Sequence, residues 1–107
     1  MKKEYNKLIR DRIPEIIEKD GKTCKTRVLS EKDYKSALNS KLLEEMKEYQ
    51  EGFDLRELAD LQEVINAIVL ANGLSLKEFD EIREAKAKAN GGFSKRLFLE
   101  SVDDGKK

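Results

Sequence analysis

The stretch KLLEEMKEYQEGFDLRELAD, Lys41 to Asp60, decides how this chain folds. It opens in a helical pattern, breaks at Gly52, and resumes after Asp54 with a second helical pattern. Seven acids lie within these twenty residues, and the direction they face determines what they can do. A helix advances about 100° per residue; with Leu38 as origin, Tyr49 falls at about 20°, Leu42 at about 40° and Glu45 at about −20°, so Glu45 sits inside the apolar stripe. Glu48, at about −80°, lies on the flank of that stripe, and Glu44, at about −120°, lies farther round.

The second helix is apolar on almost every side. ELADLQEVINAIVLA, Glu57 to Ala71, reads as a buried central helix. With Leu55 as origin, Glu57 at about 200° falls between Val64 and Ile68, and Asp60 at about 140° falls between Ala67 and Ala71. From Glu57 to Leu76 there are three acids and no Lys or Arg. A charge run is usually a solvated face, and Glu45–Lys41 and Glu51–Lys47 pairs at i,i+4 would contribute only about 0.2–0.5 kcal/mol each. That bland reading suits Glu44, Glu51 and Glu63. It suits Glu57 and Asp60 poorly, because an unpaired buried carboxylate costs several kcal/mol. A stronger structural alternative brings Arg10, Arg12 or Lys7 across the fold to these acids. Two i,i+3 acidic pairs on consecutive helices predict convergence of Glu45, Glu48, Glu57 and Asp60 if the helices pack antiparallel.

Outward from this core, the chain is punctuated clearly. Pro14 opens a short helix through Asp20, stopped at Gly21. TCKTRVL, Thr23 to Leu29, is rich in β-formers and reads as a strand. Ser30 with Asp33 caps a long helix to about Gln50, with Gly52 past its end. Asp54 with Glu57 starts the next helix, which reaches about Asn72 before Gly73. Ser75 with Glu78 opens a third long helix, ending before Asn90–Gly92. FSKRLFL, Phe93 to Leu99, reads as a short strand or extended arm. Asn66 reads as a satisfied buried amide, Phe93 as core, and Gly91 and Gly92 as a helix stop. The expected architecture is mainly α: one helical-bundle domain over residues 1–102, with short extended N- and C-terminal segments and a disordered tail at 103–107.

Composition narrows the chemistry. The chain has 107 residues, 41% of them charged, with 22 Lys+Arg against 22 Asp+Glu. Balanced charge gives no global pull toward nucleic acid or an anionic membrane. No apolar run approaches the roughly 20 residues of a membrane span, and no secretory signal is read. The single cysteine, Cys24, favours a reducing, cytoplasmic setting. There is no histidine, which removes imidazole general bases and His-containing zinc sites. Four converging carboxylates suit a hard divalent cation, Mg²⁺ first and Mn²⁺ second, which typically binds substrate phosphates. The residues alone thus point to metal-dependent phosphoryl chemistry.

EEMKE, Glu44 to Glu48, and ELAD, Glu57 to Asp60, resemble the E-E-x-x-E … E-x-x-D signature of the MazG-like, all-α NTP pyrophosphohydrolases. YNKLIRDRIPEII, Tyr5 to Ile17, and GGFSKRLFL, Gly91 to Leu99, resemble the ends of a compact phosphoribosyl-ATP pyrophosphohydrolase-like branch. The gap between the acid motifs is short compared with many members, which implies a tight helical hairpin. The resemblance implies hydrolysis of a nucleoside triphosphate to the monophosphate and pyrophosphate, as in nucleotide-pool house-cleaning. Carried over by position, Glu45, Glu48, Glu57 and Asp60 would be Mg²⁺ ligands, and Glu44 and Glu45 would act on the attacking water. Lys7, Arg10, Lys86, Lys95 and Arg96 are candidates for the substrate phosphates. Three long helices do not close a bundle readily, so a homodimer or tetramer is expected, with the site near the subunit interface. Two alternatives stand beside this reading: phosphoribosyl-ATP pyrophosphohydrolase, and a non-catalytic helical dimerisation or nucleotide-sensing module.

Overall fold

The computed structural model describes residues 1–105 and is helical, with no strand among them. Lys106 and Lys107, and with them the end of the expected tail, lie outside the described residues. Among the described residues four helices occur, in the order α1 (Ile13–Lys19), α2 (Glu31–Gly52), α3 (Leu55–Ala71) and α4 (Leu76–Asn90). The chain divides into two compact units, residues 1–75 and the part from Leu76 onward.

In the first unit, α2 and α3 pack against each other and are joined by Phe53 and Asp54 alone. The two-residue joint and the contact between the helices make the pair a helical hairpin. Ser30 starts α2 as its sequence predicts: its Oγ accepts from the Asp33 N–H at 3.2 Å. Asp54 starts α3 in the same way, its Oδ1 accepting from the Arg56 N–H at 2.9 Å. The expected stop is displaced by one residue. Gly52 remains helical, and Phe53 takes the left-handed conformation, φ 54°, that closes α2. Its ring packs edge-on against Tyr49, with centroids 5.8 Å apart, which holds an aromatic residue where glycine would be easier.

The α2 stripe is the one periodicity predicts. Leu38 and Glu45 are buried, and Leu42 and Tyr49 are half-buried. From α3, Val64 and Val69 are buried. The expectation of a helix buried on nearly all sides is not met, since Leu55, Leu58 and Leu70 are exposed. Within this unit α2 is the one helix that packs against α3, joined on the Asp60 side by Arg10 of the N-terminal segment. The segment before α1 carries no helix or strand but half-buries Leu8 and Ile9. α1 begins at Ile13, one residue before Pro14, and ends before Gly21 at φ 77°.

One strand expectation is corrected, and for Phe93–Leu99 the strand alternative drops away. Thr23–Leu29 has no regular structure, and all but Leu29 are exposed. β-branched composition favours a pleated surface, but a strand forms only where neighbouring backbone completes the ladder. In the second unit α4 buries no residue and stops at Asn90, with Gly91 at φ 83° as the expected helix stop. Phe93–Leu99 begins with a turn, in which Arg96 N–H donates to the Phe93 carbonyl at 3.1 Å, and then runs without regular structure. Phe93 is 98% exposed rather than core.

Candidate metal centre

The short Phe53–Asp54 turn folds α3 back along α2, and two turns of helix on either side bring acids into register. Carboxylate oxygens of Glu45, Glu57 and Asp60 lie within 4.8 Å of one another, and so do those of Glu44, Glu45 and Glu48. Glu45 belongs to both groups. It is 7% exposed, the one buried charged residue among those described. Glu57 and Asp60 are half-buried, and Glu48 is exposed on the flank.

Three cations border these acids. Lys41 Nζ lies 3.4 Å from Glu45 Oε1 and 3.3 Å from Glu44 Oε2. Lys7 Nζ lies 3.5 Å from Glu44 Oε1. Arg10 Nη2 donates to Asp60 Oδ1 at 2.7 Å, across fifty residues of chain. Five carboxylates therefore face three cations, a formal excess of two negative charges. Glu45 Oε2 is buried and finds no hydrogen-bond donor. Glu48 and Glu57 make no ion pair among the described residues. Arg56, one turn before Asp60, is turned away to grip Asp54, with Nη2 to Oδ2 at 2.8 Å.

This crowding shows in the acidities. Burial raises the Glu45 pKa above its usual 4.5, and the neighbouring Glu48 carboxyl raises it further against the opposing pull of Lys41. Desolvation also raises Glu57, followed by the charges of Asp60 and Glu45. Like charges held together in this way are relieved either by a shared proton or by a cation. An all-oxygen donor set with a buried oxygen lacking a donor fits a hard divalent ion.

The structure thus brings Glu45, Glu57 and Asp60 together and leaves Glu48 in the adjoining group with Glu44 and Glu45. Lys7 and Arg10, candidates for phosphate, stand against the acids instead, while Arg12 pairs with Glu15 at 3.3 Å. Lys86, in α4, and Lys95 and Arg96, in the turn after it, belong to the second unit. Asn66 accepts from Gln62 Nε2 at 2.9 Å, a satisfied amide but only half-buried. Lys41 is the residue whose part the sequence understated. Its pair with Glu45 reads as a solvated i,i+4 contact, yet its side chain is only 16% exposed and bridges two acids. The signal was available, since Lys41 falls at about −60° on the α2 wheel, between Glu45 and Glu48.

Among proteins compared, the chain is 46% identical over 52 residues to an uncharacterized protein of Mycolicibacterium smegmatis (strain ATCC 700084 / mc(2)155). The match covers 49% of this chain and 52% of that relative, so it spans about half the length of each. No protein-family model matches the chain. No solved structure matches it. Among the described residues, no helix is long and apolar enough to cross a membrane.

Proposed function

We propose that the chain is a Mg²⁺-dependent nucleoside triphosphate pyrophosphohydrolase, converting NTP and water to NMP and pyrophosphate. The observation that carries this reading is the meeting of Glu45, Glu57 and Asp60 from two helices, with Glu45 Oε2 buried and without a donor. Glu45, Glu48, Glu57 and Asp60 would hold the ion, with Mn²⁺ as a substitute. When bound, it would offset triphosphate charge and lower the pKa of a coordinated water. Glu44, held between Lys7 and Lys41, would orient the attacking water. A cluster carboxylate would accept the water's proton as oxygen attacks the α-phosphorus and the bond to the departing pyrophosphate breaks. Basic side chains would stabilise charge on the phosphoryl oxygens.

A homodimer or higher assembly belongs to the same proposal. Leu55, Leu58 and Leu70 on α3, with Leu43 and Met46 on α2, are exposed apolar side chains that partner helices would cover. A second reading, a non-catalytic helical module, draws support from the Arg10–Asp60 and Lys7–Glu44 pairs, which compensate charge without any ion. Activity assays separate the two. Mg²⁺-dependent pyrophosphate release should fall by at least about a hundredfold in Glu45→Gln and in Asp60→Ala, because even residues supporting metal ligands commonly contribute 10- to 100-fold. Circular dichroism would establish that both variants keep their helices. Undiminished release by both folded variants would rule out the proposed site.

A further inference from the structure

We propose that Arg10 is a built-in counter-cation that holds Asp60 while no divalent ion is bound and is displaced from it when one binds. The inference rests on the cation-binding reading above. Asp60 is one of the three residues whose oxygens converge with Glu45 and Glu57, and its Oδ1 is taken by Arg10 Nη2 at 2.7 Å. Glu45, 7% exposed and a member of the same cluster, has one oxygen, Oε2, that is buried without a donor, an observation separate from the clustering itself. A guanidinium and a divalent ion against the same carboxylate repel each other at separations of about 4–6 Å, so each weakens the other's hold.

The three cations at the cluster are not equally replaceable. Lys41 is rooted on α2, is 16% exposed and holds two acids at once. Arg10 is 56% exposed and sits on a segment without helix or strand, so its guanidinium can leave with little loss of packing. Half-buried Leu8 and Ile9 keep the backbone in place beside the acids. The released guanidinium therefore stays within side-chain reach, where its planar donors match phosphate oxygens. Arg10 thus exchanges a carboxylate for a polyphosphate partner, and cation binding and Arg10 release are linked reciprocally.

Two measurements on the full chain test this. Mg²⁺ and Mn²⁺ are titrated alone by calorimetry into wild type and Arg10→Gln, with circular dichroism to establish folding. The Arg10 Nε–Hε NMR signal of wild type is followed through the same Mg²⁺ titration. The variant should bind about two- to fivefold tighter, as expected for removal of an exposed competing pair. The Arg10 signal should move to the position of a solvated guanidinium, saturating with the calorimetric curve. If wild type binds the cation but the folded variant binds equally or more weakly, the inference is overturned while the metal centre stands. An Arg10 signal unmoved at saturation overturns it too, and decides the matter alone if the variant does not fold. If neither protein binds either cation, the metal centre and the inference fall together.

Discussion

At the scale of the residue, Glu45 sets the chemistry of the cluster. Lys41 compensates one of its oxygens, and the other is buried without a donor. Because the folded pKa values of Glu45 and Glu57 are raised, both carboxyls hold their protons more tightly folded than unfolded. Their stabilising contribution is full below the ordinary value of 4.5 and is lost as pH rises through the raised folded values. Asp54 acts in the opposite sense, since the Arg56 hydrogen bonds lower its pKa and its contribution disappears only as pH falls from 3.8. Chemical denaturation in chelator should therefore show declining stability as pH climbs above 4.5. The decline should be shallower in Glu45→Gln and in wild type with Mg²⁺; a slope identical in all three would mean these acids do not govern it. The burial of Glu45 was legible because the 3.6-residue period placed it with Leu38 and Tyr49. The place of Lys41 between Glu45 and Glu48 was legible on the same wheel, but its burial was not, because an i,i+4 pair looks the same in sequence whether its helix face is wet or covered.

At the scale of the element, the α2–α3 hairpin makes the site, and its stability depends on its ends. Ser30→Ala should destabilise the protein by about 1 kcal/mol, measured by denaturant midpoint, through loss of the bond to the Asp33 N–H. Phe53→Gly should change it little. Relief of about 1 kcal/mol of left-handed backbone strain is offset by loss of an edge-on Tyr49 contact of about 0.5–1.5 kcal/mol. Helix boundaries followed local chemistry closely, because caps and glycines act within a turn. The turn residue itself was misplaced by one, since Gly52 offered the obvious left-handed position and the aromatic contact that lets Phe53 take it is a property of packing. Thr23–Leu29 failed as a strand for a related reason: its β-forming side chains were visible in sequence, but the absence of pairing backbone was not.

At the scale of the whole molecule, the number of buried apolar side chains argues for assembly. Leu38, Val64 and Val69 are the buried apolar side chains among the described residues, while α3 leaves Leu55, Leu58 and Leu70 uncovered. Light scattering after size exclusion should return at least twice the 12.3 kDa chain mass, and Leu58→Lys should reduce it. A wild-type mass of one chain would contradict the proposed assembly. The all-round apolarity of α3 was legible in sequence, but the exposure of Leu55, Leu58 and Leu70 within the chain was not, because periodicity identifies a face and not its partner. The meeting of Glu45 with Glu57 and Asp60 was legible because these acids lie on two helix faces joined by a short turn, whereas the grouping of Glu48 with Glu44 and Glu45 alone was not. The most direct test of the proposed hydrolysis follows nucleoside triphosphates with Mg²⁺ and the protein by ³¹P NMR. Nucleoside monophosphate and pyrophosphate should appear in equal amounts, and chelator or Asp60→Ala should abolish both. Intact triphosphate across the ribo- and deoxyribonucleotide panel, or cleavage to diphosphate and phosphate, would contradict that reaction.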